Sequence, residues 1–143
     1  MTIAALPILL VEDDTVLADL LSRHLVAHGH EVVIVTSAEA AITKLEDGLH
    51  ALLVLLDINL PGDSGWSVLR RGPLTGPNRP PVVVMTAGPV SPTRLHEFGV
   101  AGYLPKPFPI ETLMDCVGRL SGVTHVDAPV EGGQFAVSED IDA

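Results

Sequence analysis

Apolar residues along this chain follow two kinds of pattern. One is the short unbroken run: ILLV at 8–11, EVVIV at 31–35, ALLVLL at 51–56, VVVM at 82–85 and AGYL at 101–104. Runs of this length, rich in β-branched residues and bounded by turn formers, read as strands buried on both sides. The other is a recurrence every three or four residues. Val16, Leu17, Leu20, Leu21 and Leu25 predict a helix from Thr15 to about His28, stopped by Gly29. Ala38, Ala41, Ile42 and Leu45 predict a second, capped by Ser37 and ended by Gly48. WSVLRR at 66–71 can make at most two turns of helix. After it, Gly72, Pro73, Gly76, Pro77, Pro80 and Pro81 predict a stretch with no regular structure. A short, weak helix is expected within 92–98, and a last one from Ile110 to about Ser121.

Strand and helix alternating five times predict a doubly wound α/β domain: a five-stranded parallel sheet with helices on both faces, the third and fourth of them short. In such sheets the working site lies at the carboxyl ends of the strands. The first strand runs into Glu12 and Asp13, the third into Asp57, the fourth into Thr86, and the fifth is followed by Lys106. The second ends in Thr36 and Ser37, a plain helix cap, and Asp14 is read the same way. Three carboxylates, a hydroxyl and an ammonium thus converge on one rim. Carboxylate oxygens suit Mg²⁺, which keeps several waters and is held by few protein groups. Crowded carboxylates raise one another's pKa unless a cation compensates them, and Mg²⁺ and Lys106 both can. A carboxylate can also attack phosphorus to form an acyl phosphate, a transfer that needs mainly positioning and charge neutralisation.

The motifs VEDD (11–14), LLDINLPGDSG (55–65), MTA (85–87) and YLPKPF (103–108), in that order, resemble the receiver domain of two-component response regulators over residues 8 to about 121. The resemblance implies a flavodoxin-like strand order 2-1-3-4-5. It implies that Asp57 accepts a phosphoryl group from a phosphohistidine on a sensor histidine kinase or a histidine phosphotransfer protein. It implies Mg²⁺ held by Asp13, Asp57 and the backbone carbonyl of Asn59, with Glu12 acting through water. Lys106 would pair with the phosphoryl group, Thr86 would move to bond it, and Tyr103 would change rotamer with Thr86. The Lys106–Pro107 bond is expected to be cis. The implied role is a signalling switch of protein–protein contacts, not an enzyme.

Several positions depart from the family's pattern. Gly72 and Pro73 cut the third helix short, and GPVSP at 88–92 replaces a good helix start. A chain with so reduced a fourth helix is not expected to use the symmetric dimer that the family builds on its fourth helix, fifth strand and fifth helix. Gly88 should leave an acyl phosphate open to water, while Asn59 offers a polar side chain beside it. Other residues keep plainer readings. Tyr103 can be simple core, Cys116 is read as core, and Trp66 is either packing or part of a partner patch. The histidines are read as lacking ligand spacing on one helix face, so no histidine metal site is expected.

Composition narrows the function. The chain has 143 residues, 47% of them hydrophobic, enough for one core. Eight basic against eighteen acidic residues give a net charge of −10, which disfavours direct nucleic-acid binding. Five of the acids (Asp127, Glu131, Glu139, Asp140, Asp142) fall in 122–143 with no base. The expected division is a receiver over 1–121 and an acidic tail, disordered or linking, over 122–143. With no membrane-length apolar run, no signal peptide and one cysteine, a cytoplasmic protein without membrane partners is expected. The chain reads as a single-domain receiver or as part of a longer protein, with an unidentified output partner. Two other readings remain. DIN at 57–59 is superficially like the motif of haloacid-dehalogenase-type Mg²⁺-dependent phosphatases, although Asn59 stands where they carry a second Asp. A receiver-like interaction module without phosphorylation is the other.

Overall fold

Alternate residues of each strand point to opposite faces, so a sheet of unbroken apolar strands must be covered on both sides. The computed structural model, which describes residues 5–122, shows that arrangement except at the edge stretch 32–35, where Val32 and Val33 are half-buried and Ile34 is 42% exposed. Five strands, β1 (Ile8–Val11), β2 (Val32–Val35), β3 (Leu53–Asp57), β4 (Val82–Thr86) and β5 (Gly102–Pro105), form one parallel sheet in the order β2-β1-β3-β4-β5. Ile8, Leu10, Leu53, Leu55, Val83 and Met85 face one side, where α1 (Thr15–Ala27) and α5 (Ile110–Leu120) supply Ala18, Leu21, Leu25, Leu113, Cys116 and Val117. Leu9, Val11, Val54, Leu56, Val82 and Val84 face the other, beneath α2 (Ala38–Glu46), α3 (Trp66–Arg70) and α4 (Pro92–Glu97). Among the described residues no helix is long and apolar enough to cross a membrane.

The helices start where their caps stand. Asp14 accepts from the Val16 and Leu17 N–H groups, both at 3.1 Å, and opens α1. Ser37 accepts from the Ala40 N–H at 3.0 Å and opens α2. Ser91 accepts from the Arg94 N–H, and Pro92, whose missing N–H costs nothing in a first turn, begins α4. As expected, α3 and α4 are short, five and six residues.

Two expectations need correction. The stretch after α3 is not free of regular structure: Gly72–Thr75 forms a 3₁₀ turn. Proline near the start of a helical turn loses no hydrogen bond, and Leu74, fully buried, anchors the turn to the core. Strand bounds also shift: β3 begins at Leu53 and includes Asp57, and β5 extends through Pro105. The tail predicted over 122–143 lies, apart from Gly122, outside the described residues.

The short helices are held by specific contacts. Trp66, undecided from sequence, is buried, and its ring stacks on Phe98 with centroids 5.3 Å apart. The Arg94 guanidinium lies 5.2 Å from the Trp66 ring centroid, a cation–π geometry. Arg79 donates to the carbonyls of Leu74, Phe98 and Gly99, tying the 3₁₀ turn to the end of α4.

Candidate functional site

The sheet places four strand ends side by side, and each delivers one polar group to the same rim. Glu12 follows β1, Asp57 ends β3, Thr86 ends β4, and Lys106 follows β5. A backbone bond from the Lys106 N–H to the Thr86 carbonyl, 2.9 Å, fixes the last two relative to each other. The Lys106–Pro107 bond is cis. Glu12, Asp57 and Thr86 are the buried polar residues among those described, at 0%, 2% and 2% exposure.

Polar groups so buried need partners. Lys106 Nζ lies 2.7 Å from Glu12 Oε1 and 3.3 Å from Asp57 Oδ2. The other Glu12 oxygen accepts from the Asp14 N–H at 3.1 Å, and Asp57 Oδ1 accepts from the Asn59 N–H at 3.0 Å. Burial raises the pKa of Glu12 despite opposing bonds from Lys106 and the Asp14 backbone, and the Asp57 charge adds to the rise. For Lys106, burial acts downward, but Glu12 and Asp57 outweigh it and hold the ammonium above its ordinary value. Lys106 and Glu12 therefore favour each other's charged forms, while burial still leaves the Glu12 carboxyl above its ordinary range.

One ammonium does not balance the cluster. Ligand oxygens of Glu12, Asp13 and Asp57 all lie within 4.8 Å of one another, and Lys106 contacts two of these three carboxylates. Asp13 is exposed. Hard oxygen donors with uncompensated negative charge and an open side fit a small divalent cation that keeps part of its water shell. Asn59 belongs to the same loop, two residues after Asp57.

The structure also shows a contact that sequence reasoning missed. The Asn59 side-chain amide donates to Thr86 Oγ at 2.9 Å, and the Gly88 N–H donates to the same oxygen at 3.2 Å. Thr86 thus spends its acceptor capacity on the loops, and its own proton remains available to donate. No local signal announces this pairing, because Asn59 and Thr86 leave different strands. Tyr103 packs in the core on the α2–α3–α4 side, and its hydroxyl makes only a long 3.5 Å contact with the Gly88 carbonyl. Burial raises the pKa of that hydroxyl.

Gly65 fixes the loop behind the site. Its N–H bonds the Ile58 carbonyl at 2.9 Å, and a Cβ built there would overlap the Asp57 carbonyl oxygen. Only glycine lets the chain return so close to the acid.

Known proteins resemble this chain in sequence and in fold. The family model described as the response regulator receiver domain matches residues 8–118. The response regulator protein FleR of Pseudomonas aeruginosa is 39% identical over 116 residues, covering 80% of this chain and 24% of that protein. The DNA-binding transcriptional regulator NtrC of a Bradyrhizobium strain is 32% identical over 132 residues, covering 90% and 27%. The chain therefore spans about a quarter of the length of these two relatives. Among solved structures, a CheY-like receiver domain protein from Methanospirillum hungatei superposes with a TM-score of 0.74 at 25% identity, covering 82% of this chain and 94% of that one. The receiver domain of the Pseudomonas aeruginosa sensor histidine kinase PA1611, solved with a magnesium ion in its active-site cleft, superposes at 0.70 and 29% identity, covering 83% and 99%.

Proposed function

This chain belongs to the response regulator receiver domain family, and we propose that Asp57 is its phosphoacceptor, loaded from a phosphohistidine. The observation that carries the proposal is the setting of the Asp57 carboxylate. It is 2% exposed, held from one side by the Asn59 N–H and from the other by Lys106, and it sits within reach of Glu12 and Asp13.

In the proposed reaction an Asp57 oxygen attacks phosphorus and forms the O–P bond of an acyl phosphate. The N–P bond to the donor imidazole breaks, and that nitrogen keeps the electron pair. The fixed Asn59 and Lys106 bonds orient the carboxylate before attack, which lowers the entropic barrier. Lys106 then shifts its ammonium toward the phosphoryl oxygens, where charge-assisted bonds are stronger. Thr86 supplies its free O–H proton to another phosphoryl oxygen. Glu12, Asp13, Asp57 and the Asn59 carbonyl would hold Mg²⁺, Glu12 through water, and a bound Mg²⁺ would neutralise charge on the phosphoryl oxygens. Tyr103 would respond to movement of Thr86, since both border Gly88.

The donor is a sensor histidine kinase or a histidine phosphotransfer protein, and the output is a protein contact altered by phosphorylation. Acetyl phosphate with Mg²⁺ should add one phosphoryl group per chain, seen by mass spectrometry and mapped to Asp57. Asp57→Asn should abolish the adduct while the fold persists. Labelling that survives in that variant would mean a different acceptor, and repeated turnover of a phosphomonoester would mean a phosphatase instead.

A further inference from the structure

The end of α1 farthest from the acidic cluster carries a second group of ligand-type side chains. His24, His28 and His30 fall within the stretch HLVAHGH. Contrary to the reading that no histidines share a helix face, His24 lies in the last turn of α1 and His28 is its C-cap, four residues on. Residues four apart stand one above the other on a helix, with Cβ atoms roughly 5–6 Å apart.

Their rings are also poised alike. His24 Nδ1 lies 3.1 Å from the Leu20 carbonyl oxygen, and His28 Nδ1 lies 2.9 Å from the His24 carbonyl oxygen. A carbonyl only accepts, so in each ring Nδ1 carries a proton, and in the neutral form of the ring Nε2 carries the lone pair. Each ring by itself is held as metal-binding histidines are, with one N–H on a carbonyl, but the same pose repeated four residues on leaves the two Nε2 atoms about a turn apart, so one ring turns off its carbonyl to share an ion. His28 is exposed and His24 half-buried, so both can be reached from solvent. The neighbouring Arg23 is paired with Asp19 at 2.9 Å, which tempers its repulsion of a cation.

We propose that His24 and His28 bind one divalent transition-metal ion through their Nε2 atoms. Imidazole nitrogen selects Cu²⁺, Ni²⁺ and Zn²⁺, with Cu²⁺ bound most tightly, whereas Mg²⁺ prefers oxygen. Donor type therefore separates this site from the acidic one. Distance separates them too: nine steps along α1 from Thr15 to His24, at about 1.5 Å each, carry His24 roughly 14 Å along the helix from the end that borders Asp13. Among the described residues the only converged group of three or more such ligands is Glu12, Asp13 and Asp57. The histidine site is thus a two-ligand site, completed by water or by a donor from a partner.

Titration of Cu²⁺ and of Zn²⁺ into the full chain, with millimolar Mg²⁺ present, tests the proposal by calorimetry. One Cu²⁺ per chain, bound more tightly than Zn²⁺, is expected. His24→Ala and His28→Ala should each weaken Cu²⁺ binding by at least about tenfold, with unchanged circular dichroism. Asp13→Asn and His125→Ala should leave it unaltered. Unchanged affinity in either of the first two variants, or loss of binding in either of the last two, would overturn the assignment.

Discussion

The two helical layers cover the same sheet by different means. On one face α1 and α5, thirteen and eleven residues long, lay down Ala18, Leu21, Leu25, Leu113, Cys116 and Val117 as continuous apolar stripes. On the other, α3 and α4 are short, and individual contacts hold them: Trp66 on Phe98, Arg94 over Trp66, and Arg79 on three carbonyls. A stripe spreads its energy over many equivalent methyl groups. A clamp concentrates it in a few side chains, and losing one releases its partners as well.

The comparison can be broken by one substitution on each face. Leu25→Ala, at a fully buried stripe position, should cost about 2–5 kcal/mol, and Trp66→Ala about 3–5 kcal/mol. Urea unfolding measures both. The sharper difference is local. Trp66→Ala removes the platform for Phe98 and Arg94, so amide exchange in Pro92–Gly99 should accelerate beyond what global destabilisation explains. Leu25→Ala should accelerate α1 and α5 together. Equal, purely global acceleration in the two variants would show that the layers are held alike.

The same contrast governs what the sequence made legible. Strands, α1, α2 and α5 follow from periodicity, because a stripe is itself a sequence pattern. Four strand ends on one rim follow from the parallel architecture, and they bring Glu12, Asp57, Thr86 and Lys106 together. The clamps are not periodic. Trp66 could not be assigned, because its partner Phe98 belongs to another turn of chain. The 3₁₀ turn was hidden because glycine and proline mark an interruption without saying whether a buried Leu74 will pin it. The Asn59–Thr86 bond was missed for the same reason: side-chain pairs across strands leave no local trace. His24 and His28 were legible and overlooked, since a spacing of four on a helix is visible in the sequence itself.

The acidic rim lies at the seam between the layers, which permits a test with a smaller effect. Mg²⁺ binding to the native carboxylate cluster should raise stability by about 1.4 kcal/mol at ten times its dissociation constant. The increment should be abolished by Asp13→Asn. It should be the same in wild type and in Leu25→Ala, because the stripe does not touch the ligands. In Trp66→Ala it should also persist if the clamp only positions α3 and α4. An increment that falls in Trp66→Ala alone would mean that the clamped layer shapes the loop behind Asp57, through Gly65.

The smallest effect comes from the stripe's one titratable member. Cys116 is buried in α5, and burial pushes its thiol up to about 11. An acid whose pKa is raised by folding binds its proton more tightly in the native state. Its contribution to stability is therefore complete below the ordinary thiol value and is lost as pH rises toward 11. Near neutral pH, Cys116→Ala should show only the modest cost of a smaller buried side chain. Between pH 9 and 10.5 the wild type should lose stability more steeply than the variant, as followed by urea midpoints. Parallel pH profiles would show that solvent reaches the thiol, and that the α1–α5 layer is looser than its unbroken stripes indicate.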